Sequence, residues 1–215
     1  MNNAEKINFI KKWLGTGSIN IFGRAFAGKD TVGKQLSELL NAEFLSSGDI
    51  VRAARKNNDA AIKAAAHVSD TGAWMPIDEF KELIAPYLYS EDIDGRALIL
   101  SMVGRWIGEE VTVMNALEKG KHTTKAVIVL NVTDDEIWKR WELANEADAR
   151  NIGRADDFDK TAVQARLDEF KDKTLPVIEV YRKMGLVVEI DGQKTREEVF
   201  AEVIDRLYDF ARSKM

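Results

Sequence analysis

The chain has 215 residues, of which 45% are hydrophobic and 31% are charged, so its composition is that of a globular protein and excludes a disordered or collagen-like chain. Its 31 basic and 36 acidic residues give a net charge of −5, which argues against a general nucleic-acid binder. The lack of cysteine excludes disulfides, thiolate zinc sites and catalytic thiols, and two histidines are too few for a histidine-rich metal site.

The length of the chain and its hydrophobic runs also predict its domain number and its cellular location. A chain of this size usually folds as one domain. No apolar run approaches the ~20 residues that a membrane-spanning helix needs. Residues 1–15 predict a short amphipathic helix rather than a signal peptide. We therefore expect a single-domain, cytoplasmic protein without a membrane or nucleic-acid partner.

The first part of the chain predicts a strand, a loop and a helix. Residues 19–22 form a short apolar run that predicts a buried strand ending at Gly23. After a loop, apolar residues within 32–40 recur at helical spacing. Residues 49–90 are Ala-rich and show no clear strand, so they predict a helical insertion beside the main sheet.

The second part of the chain alternates apolar runs with helical patterns. Three apolar, β-branched runs predict further strands: 97–102, 126–132 and 186–190. Two long stretches have helical spacing: 161–184 and 196–213. The polar stretch 141–160 predicts a solvated excursion between two helices. Buried strands separated by helices imply an α/β fold with a doubly wound parallel sheet and helices on both faces.

The segment INIFGRAFAGKDT, residues 19–31, is the most informative one. A strand runs into Gly23, a loop carries Gly28 and Lys29, and a helix follows at once. In that arrangement backbone N–H groups and a helix N-terminus can face an anion, while the lysine ammonium reaches outer phosphates and Thr31 can offer its hydroxyl to magnesium. The alternative is a strand–turn–helix corner that merely contains glycine and lysine.

Four ordered motifs resemble those of adenylate kinases and related nucleoside monophosphate kinases. The family loop GxPGxGKGT is matched at Gly23, Gly28, Lys29 and Thr31, and the signature STGD followed by Arg-Ala resembles residues 46–53. A strand ending in DGFPR resembles 98–105, and RxDD before a helix with an inward arginine resembles 154–157 with Arg166. The resemblance runs from about residue 19 to residue 207 and implies a P-loop NTPase-like kinase.

The resemblance implies a role for each matching residue. ATP would be bound by Gly23, Ala25, Phe26, Ala27, Gly28, Lys29, Asp30, Thr31, Arg140 and Gln193. The acceptor monophosphate would be bound by Ser47, Arg52, Gly104, Arg105, Glu109, Arg154 and Arg166. Lys29, Arg105, Arg154 and Arg166 would be the catalytic residues. Mg²⁺ would accompany ATP, with Thr31 and, indirectly, Asp49 as its residues, and no zinc is expected.

The chain departs from the family pattern at several positions. Phe26 and Asp30 stand where the family has glycine, and Ala25 stands where it has proline. Phe26 raises the question whether the backbone keeps the same φ, and Asp30 brings a carboxylate close to a bound triphosphate unless it turns away or lies beside the metal. Ser101 replaces the strand-end aspartate that helps to hold hydrated magnesium, and Ala144 replaces a lid arginine.

The acceptor base is the other open point. The family reads adenine with a glutamine four residues after the strand-end arginine, and Glu109 stands there. A carboxylate can accept from both guanine donors but cannot donate to adenine N1. Glu109 therefore predicts weakened selectivity for AMP, and the alternative is that it points to solvent and the base is held by other contacts.

The sequence thus predicts one kinase domain, with a core at about 1–48, 91–140 and 161–215. An acceptor-binding insertion would span about 49–90 and a short lid about 141–160. The favoured function is transfer of phosphate from ATP to AMP by a monomer. The alternatives are a kinase for another acceptor, such as GMP, UMP or CMP, and a nucleotide-binding protein with impaired turnover, which Ser101 and Phe26 would explain.

Overall fold

The structure is a computed structural model. It describes residues 2–50, 77–89, 93, 95–146 and 158–215. In this part of the chain, each helix is too short or too polar to cross a membrane.

The described residues form a sheet of five parallel strands in the order β2-β3-β1-β4-β5. The strands are β1 Ser18–Gly23, β2 Glu43–Ser46, β3 Leu98–Ser101, β4 Thr124–Asn131 and β5 Val187–Asp191. The helices are α1 Asn3–Leu14, α2 Lys29–Leu40, α3 Ile77–Leu88, α4 Glu109–Lys119, α5 Asp134–Glu146, α6 Lys160–Glu169, α7 Leu175–Lys183 and α8 Arg196–Ser213.

Both faces of the sheet are covered by helices. On the central strand β1, Ile19 and Ile21 lie in a core shared with α1, α2 and α8. Phe22 points to the opposite face, where it packs with Ile178 and Tyr181 of α7. Because successive strand residues alternate between faces, every residue of this strand is buried. The doubly wound α/β prediction is confirmed, and such sheets bind ligands at the carboxyl ends of their strands.

Four of the strands were predicted from apolar runs, and the fifth was not. The predicted runs 19–22, 97–102, 126–132 and 186–190 correspond to β1, β3, β4 and β5. Strand β2 has four residues and lies at the edge of the sheet, where only β3 pairs with it. Its first three residues are half-buried, so it lacks the continuous apolar run that marks a strand covered on both sides.

The predicted helix 161–184 is one helical stretch with a wider turn inside it. A π-helical turn, Phe170–Thr174, joins α6 to α7. Pro176 lies in the first turn of α7. Proline has no N–H to donate, and its ring crowds the carbonyl four residues earlier, so the widened turn fits just before it.

The last predicted helix, 196–213, coincides with α8. Its start is fixed by a capping box in which the Thr195 side chain accepts from the backbone N–H of Glu198 and the Glu198 side chain accepts from that of Thr195. In the predicted excursion 141–160, helix α5 continues through Glu146, so the first six residues are helical. Residues 147–157 lie outside the described part of the chain, as do residues 51–76 of the predicted insertion.

Candidate functional site

The loop between β1 and α2 lies at the carboxyl end of the central strand. It covers residues 24–28 and ends at Gly28, the N-cap of α2, whose φ is 86°. A side chain at that φ would be strained. As glycine offers no capping side chain, the first N–H groups of α2 have no cap from this position. Those N–H groups and the positive end of the helix dipole are suited to an anion such as a phosphate.

Phe26 keeps the positive φ that a glycine would adopt at this position of the loop. Its φ is 59°, in the left-handed region that favours glycine. The side chain is half-buried and packs against the main core. The loop thus adopts a positive φ at this residue although phenylalanine makes that conformation costly, and packing of the ring offsets the cost.

Arg140 joins the phosphate loop to the end of β5. Its Nη2 donates to the carbonyl of Gly192 at 2.6 Å and its Nη1 to that of Phe26 at 3.4 Å. Its Nε donates to Glu136 Oε1 at 2.9 Å on the same helix. Next to Gly192, Gln193 Oε1 accepts from the hydroxyl of Thr133 at 2.7 Å. Arg140 and Gln193, both predicted to bind ATP, therefore lie at the same carboxyl edge of the sheet as the loop.

The first turn of α2 carries three polar side chains. Lys29 is half-buried, and Asp30 and Thr31 are exposed. Although Asp30 is exposed, its carboxylate is directed towards β3, because its Oδ1 accepts from the hydroxyl of Ser101 at 2.5 Å. Ser101 ends β3 and is buried. Two of the positions at which the sequence departs from the family pattern are thus in direct contact.

The loop after β3, residues 102–108, is held from several sides. Met102 has a φ of 57°, and Gly104 and Gly108 have φ values of 76° and 97°. At the start of the loop, the buried Asn20 of β1 donates through Nδ2 to the carbonyl of Val103 at 2.6 Å and accepts from its N–H at 3.4 Å. These two bonds attach the start of the loop to the central strand.

Two acidic residues at the start of α4 hold the rest of this loop. Glu109 Oε2 accepts from the backbone N–H groups of Arg105 at 2.7 Å and Trp106 at 3.0 Å. Glu110 Oε2 accepts from that of Gly108 at 2.6 Å. Glu109 is only 2% exposed. Burial is the main influence on the pKa of Glu109 and raises it, while its bonds to the two N–H groups and the charge of Arg105 lower it.

Comparison with known proteins decides the family. A family model for adenylate kinase matches residues 21–186. The adenylate kinase of Flavobacterium johnsoniae is 32% identical over 206 residues, which cover 88% of this chain and 99% of the relative. The adenylate kinase of Hyphomonas neptunium is 31% identical, over 85% of this chain and 94% of the relative. That of Kocuria rhizophila is 29% identical, over 87% of this chain and 96% of the relative. The chain belongs to the adenylate kinase family.

Membership in the adenylate kinase family makes the chain an enzyme of the kinase class. The resemblance drawn from its four motifs is thereby confirmed. The roles of individual residues stay predictions, and the structure describes only some of these residues. Two of the predicted arginines, Arg52 and Arg154, lie outside the described residues.

The arrangement of Glu109 does not support the reading of a base by its carboxylate. The side chain is buried and turned onto the backbone of the preceding loop, where it accepts from the N–H of Arg105. We therefore replace the base-reading hypothesis by a positioning role. Acidic residues in the first turn of a helix commonly accept from free N–H groups there, and this signal was present in the sequence.

The helix that carries Arg166, α6, is followed by a turn that contacts the loop after β3. Arg166 is half-buried on α6. In the π-helical turn that follows α6, the ammonium of Lys173 lies 5.3 Å from the ring centroid of Trp106, the neighbour of Arg105. This cation–π contact joins α6 and the π-helical turn to the predicted acceptor side of the site.

Ser47 and Asp49 lie at the end of β2, on the far side of β3 from the phosphate loop. Ser47 is the first helical residue after the strand. Asp49 Oδ2 accepts from the hydroxyl of Ser46 at 2.6 Å, and Ser46 Oγ accepts from the N–H of Asp49 at 3.0 Å. These bonds describe the start of a helix, so the side chain of Asp49 already has a local structural role.

We expect Glu109→Ala to destabilise the protein, because the change removes the acceptor of two backbone N–H groups. Each buried N–H left without a partner costs about 1–3 kcal/mol. Glu118→Ala on the exposed side of the same helix is the matched control, with an expected change within about 0.5 kcal/mol. Denaturant unfolding of both variants measures the difference, and equal stabilities would contradict the positioning role.

The cost of Glu109→Ala should also depend on pH. Because burial raises the pKa of Glu109, the folded chain binds this proton more tightly than the unfolded chain. The stability that Glu109 contributes through its proton is therefore greatest below the unfolded pKa and is lost as the pH rises through the folded pKa. We expect the cost of the substitution to be largest at pH values below the ordinary pKa of a glutamate and to fall as the pH rises through the raised pKa of Glu109.

Proposed function

We propose that this chain transfers the terminal phosphoryl group of ATP to AMP and forms two molecules of ADP. The observation that carries the proposal is the phosphate loop at the carboxyl end of β1, with a left-handed glycine before the N-terminus of α2. It lies within the span that the adenylate kinase model matches. The names of the relatives support AMP as the acceptor.

The donor side of the proposed site consists of the loop and the start of α2. Backbone N–H groups at the helix start bind phosphate oxygens, and the ammonium of Lys29 meets the outer phosphates. Arg140 and Gln193 lie beside this loop, next to the end of β5. Phosphoryl transfer depends mainly on positioning and on stabilising charge in the transferred group, which fixed cations provide without reorganisation.

The acceptor side consists of the loop after β3 and the helices beside it. Arg105 is the proposed partner of the monophosphate, since a guanidinium can bind two phosphate oxygens at once. Hydrogen bonds with Asn20, Glu109 and Glu110 hold the backbone of the loop that carries Arg105. Arg166 is the second proposed cation on this side, and the proposed roles of Arg52 and Arg154 rest on the family motifs alone.

Magnesium is the proposed companion of ATP. Among the described residues, no group of three or more acidic or histidine side chains could hold a metal by itself. Mg²⁺ bound with a nucleotide needs only one or two protein oxygens, because phosphates and water supply the rest. The exposed hydroxyl of Thr31 and the carboxylate of Asp30 fit that demand. When bound, the ion neutralises charge on the phosphates.

The proposed organisation has a core, an acceptor-binding insertion at about 49–90 and a lid at about 141–160. Substrate-induced closure of such segments keeps water away from the transferred group. We further propose that the enzyme acts as a cytoplasmic monomer. Two features that favoured an impaired protein now have local explanations, because Phe26 adopts a positive φ and Ser101 contacts a carboxylate on α2.

An assay with ATP, Mg²⁺ and a panel of AMP, GMP, CMP and UMP tests the proposal. We expect kcat/KM for AMP to exceed that for the other monophosphates by about 100-fold or more, because a site built to pair with a base rejects poorly paired analogues. Preference for GMP would instead support an acceptor other than AMP. Absence of turnover with all four, despite ATP binding, would identify an impaired protein.

The same panel tests the role of Glu109. A residue that only positions the loop affects all acceptors alike, so Glu109→Gln should leave the ratio of kcat/KM for AMP and GMP unchanged. A shift of that ratio towards AMP would show that the carboxylate contacts the base.

A further inference from the structure

The end of strand β3 presents a hydroxyl where a carboxylate would be expected beside a nucleotide-bound metal. In P-loop enzymes the metal is held by a hydroxyl of the loop helix and by an aspartate from a strand end. Here β3 is the direct neighbour of β1 and ends in Ser101. Serine carries no charge, so this position alone cannot supply the second ligand group.

A carboxylate reaches the same place from the other side. Asp30 lies in the first turn of α2, between Lys29 and Thr31. Its Oδ1 accepts from Ser101 Oγ at 2.5 Å, and the side chain is exposed. Ser101 itself is 1% exposed and pairs in register with Ile21 of β1, so it is a rigid anchor. The hydrogen bond therefore fixes Asp30 at the strand end, next to the loop.

The carboxylate that the sequence suggested for the metal, Asp49, is farther from the loop. Asp49 follows β2, and β2 is separated from β1 by β3. Its Oδ2 is bound to Ser46, whose register partner is Ser101. The strand order thus places Asp30 on the loop side and Asp49 one strand away.

We propose that Asp30 supplies the carboxylate that holds hydrated Mg²⁺ beside ATP in this enzyme, with Ser101 as the residue that positions it. The inference rests on the proposed function, since it concerns the same site. It reassigns to Asp30 the part that the sequence suggested for Asp49. Compared with the family pattern, the acidic group stands on the helix instead of at the strand end, and in this chain the two positions are joined by a hydrogen bond.

The placement has a consequence for binding as well as for turnover. A carboxylate next to the phosphate loop repels metal-free ATP and attracts the cation that accompanies it. Asp30 should therefore make the binding of ATP depend strongly on Mg²⁺. Repulsion without metal and attraction with metal are effects of opposite sign, and a purely structural residue would produce neither.

Asp30→Asn isolates the charge, because the amide oxygen can still accept from the hydroxyl of Ser101. Calorimetric titration with ATP, once with Mg²⁺ and once with EDTA, gives the factor by which the metal strengthens binding. We expect this factor to fall about 10- to 100-fold in the variant, the usual loss when a group that supports a metal is removed. Binding of metal-free ATP should be unchanged or tighter.

Three further variants serve as controls and as a positive test. Asp135→Asn also removes an acid from the first turn of a helix, α5, and should leave the factor unchanged. Asp49→Asn tests the competing carboxylate and should change it less than Asp30→Asn. The exchange Asp30→Gly with Ser101→Asp returns the charge to the strand end and should restore much of the factor. Melting curves without ligand establish that each variant is folded.

The outcomes separate the inference from the proposed function. Equal Mg²⁺ factors in Asp30→Asn and the unaltered protein would overturn the inference and leave the kinase assignment intact. The same holds if the variant loses affinity equally with and without metal, because Asp30 would then only support the loop. If the unaltered protein binds no ATP under either condition, the proposed function fails and the inference with it.

Discussion

Lys29→Met is expected to lower kcat by about 100-fold or more, because it removes a cation from the outer phosphates in a closed site. The fold should persist. Lys29 begins α2, where the positive end of the helix dipole disfavours a cation, and methionine is as good a helix former as lysine. The variant should therefore still unfold in one cooperative transition.

Lys34→Met provides the matched control, since Lys34 lies exposed on the same helix, away from the loop. It makes the same chemical change and should retain the activity of the unaltered enzyme. Steady-state rates and thermal melts of the two variants give the comparison. Near-normal activity of Lys29→Met with an unchanged melt would contradict the assignment of residues 24–31 as the phosphate site.

A bisubstrate mimic, two adenosines joined by five phosphates, is expected to bind far more tightly than ATP. It occupies the donor and acceptor sides at once, so the second nucleotide binds without a further loss of translational freedom. A ligand that binds only the folded state stabilises it by about 4 kcal/mol at 1,000 times its Kd. In a protein of this size, each kcal/mol raises the melting temperature by about 2–4 °C.

The measurement is the melting temperature at equal concentrations of the mimic and of ATP. Arg166→Gln should reduce the advantage of the mimic, because Arg166 is a proposed cation on the acceptor side. Arg206→Gln should not, since Arg206 lies exposed on α8 beside Glu202. A mimic that stabilises the protein no more than ATP would indicate a single-nucleotide site.

Much of the architecture follows from local patterns in the sequence. The strands β1, β3 and β4 contain apolar runs buried on both faces, whereas the edge strand β5 alternates buried and more exposed residues. Helix α8 begins at the capping pair Thr195 and Glu198. Such signals depend on hydrophobic spacing and on contacts between residues three or four apart. The phosphate loop belongs to the same class, since a strand, a glycine–lysine pair and a helix start lie within residues 19–31.

Other features depend on contacts between distant parts of the chain. Edge strand β2 has a weak pattern, because its stability comes from pairing with β3 rather than from an apolar run. Phe26 keeps a conformation suited to glycine only because its ring packs against the core. Neither outcome can be inferred from neighbours in sequence, since the groups that decide it are brought close by folding.

The sequence by itself therefore determined the fold class, the family and the position of the phosphate loop, because these depend on local spacing and on ordered motifs. Only the tertiary structure decided what the unusual residues do. Asp30 and Ser101 are 71 residues apart and read separately as two defects, yet they form one hydrogen bond. The side chain of Glu109 turned inward to backbone N–H groups rather than outward to a ligand. In both cases the partner of a polar side chain depends on which donors folding brings within reach.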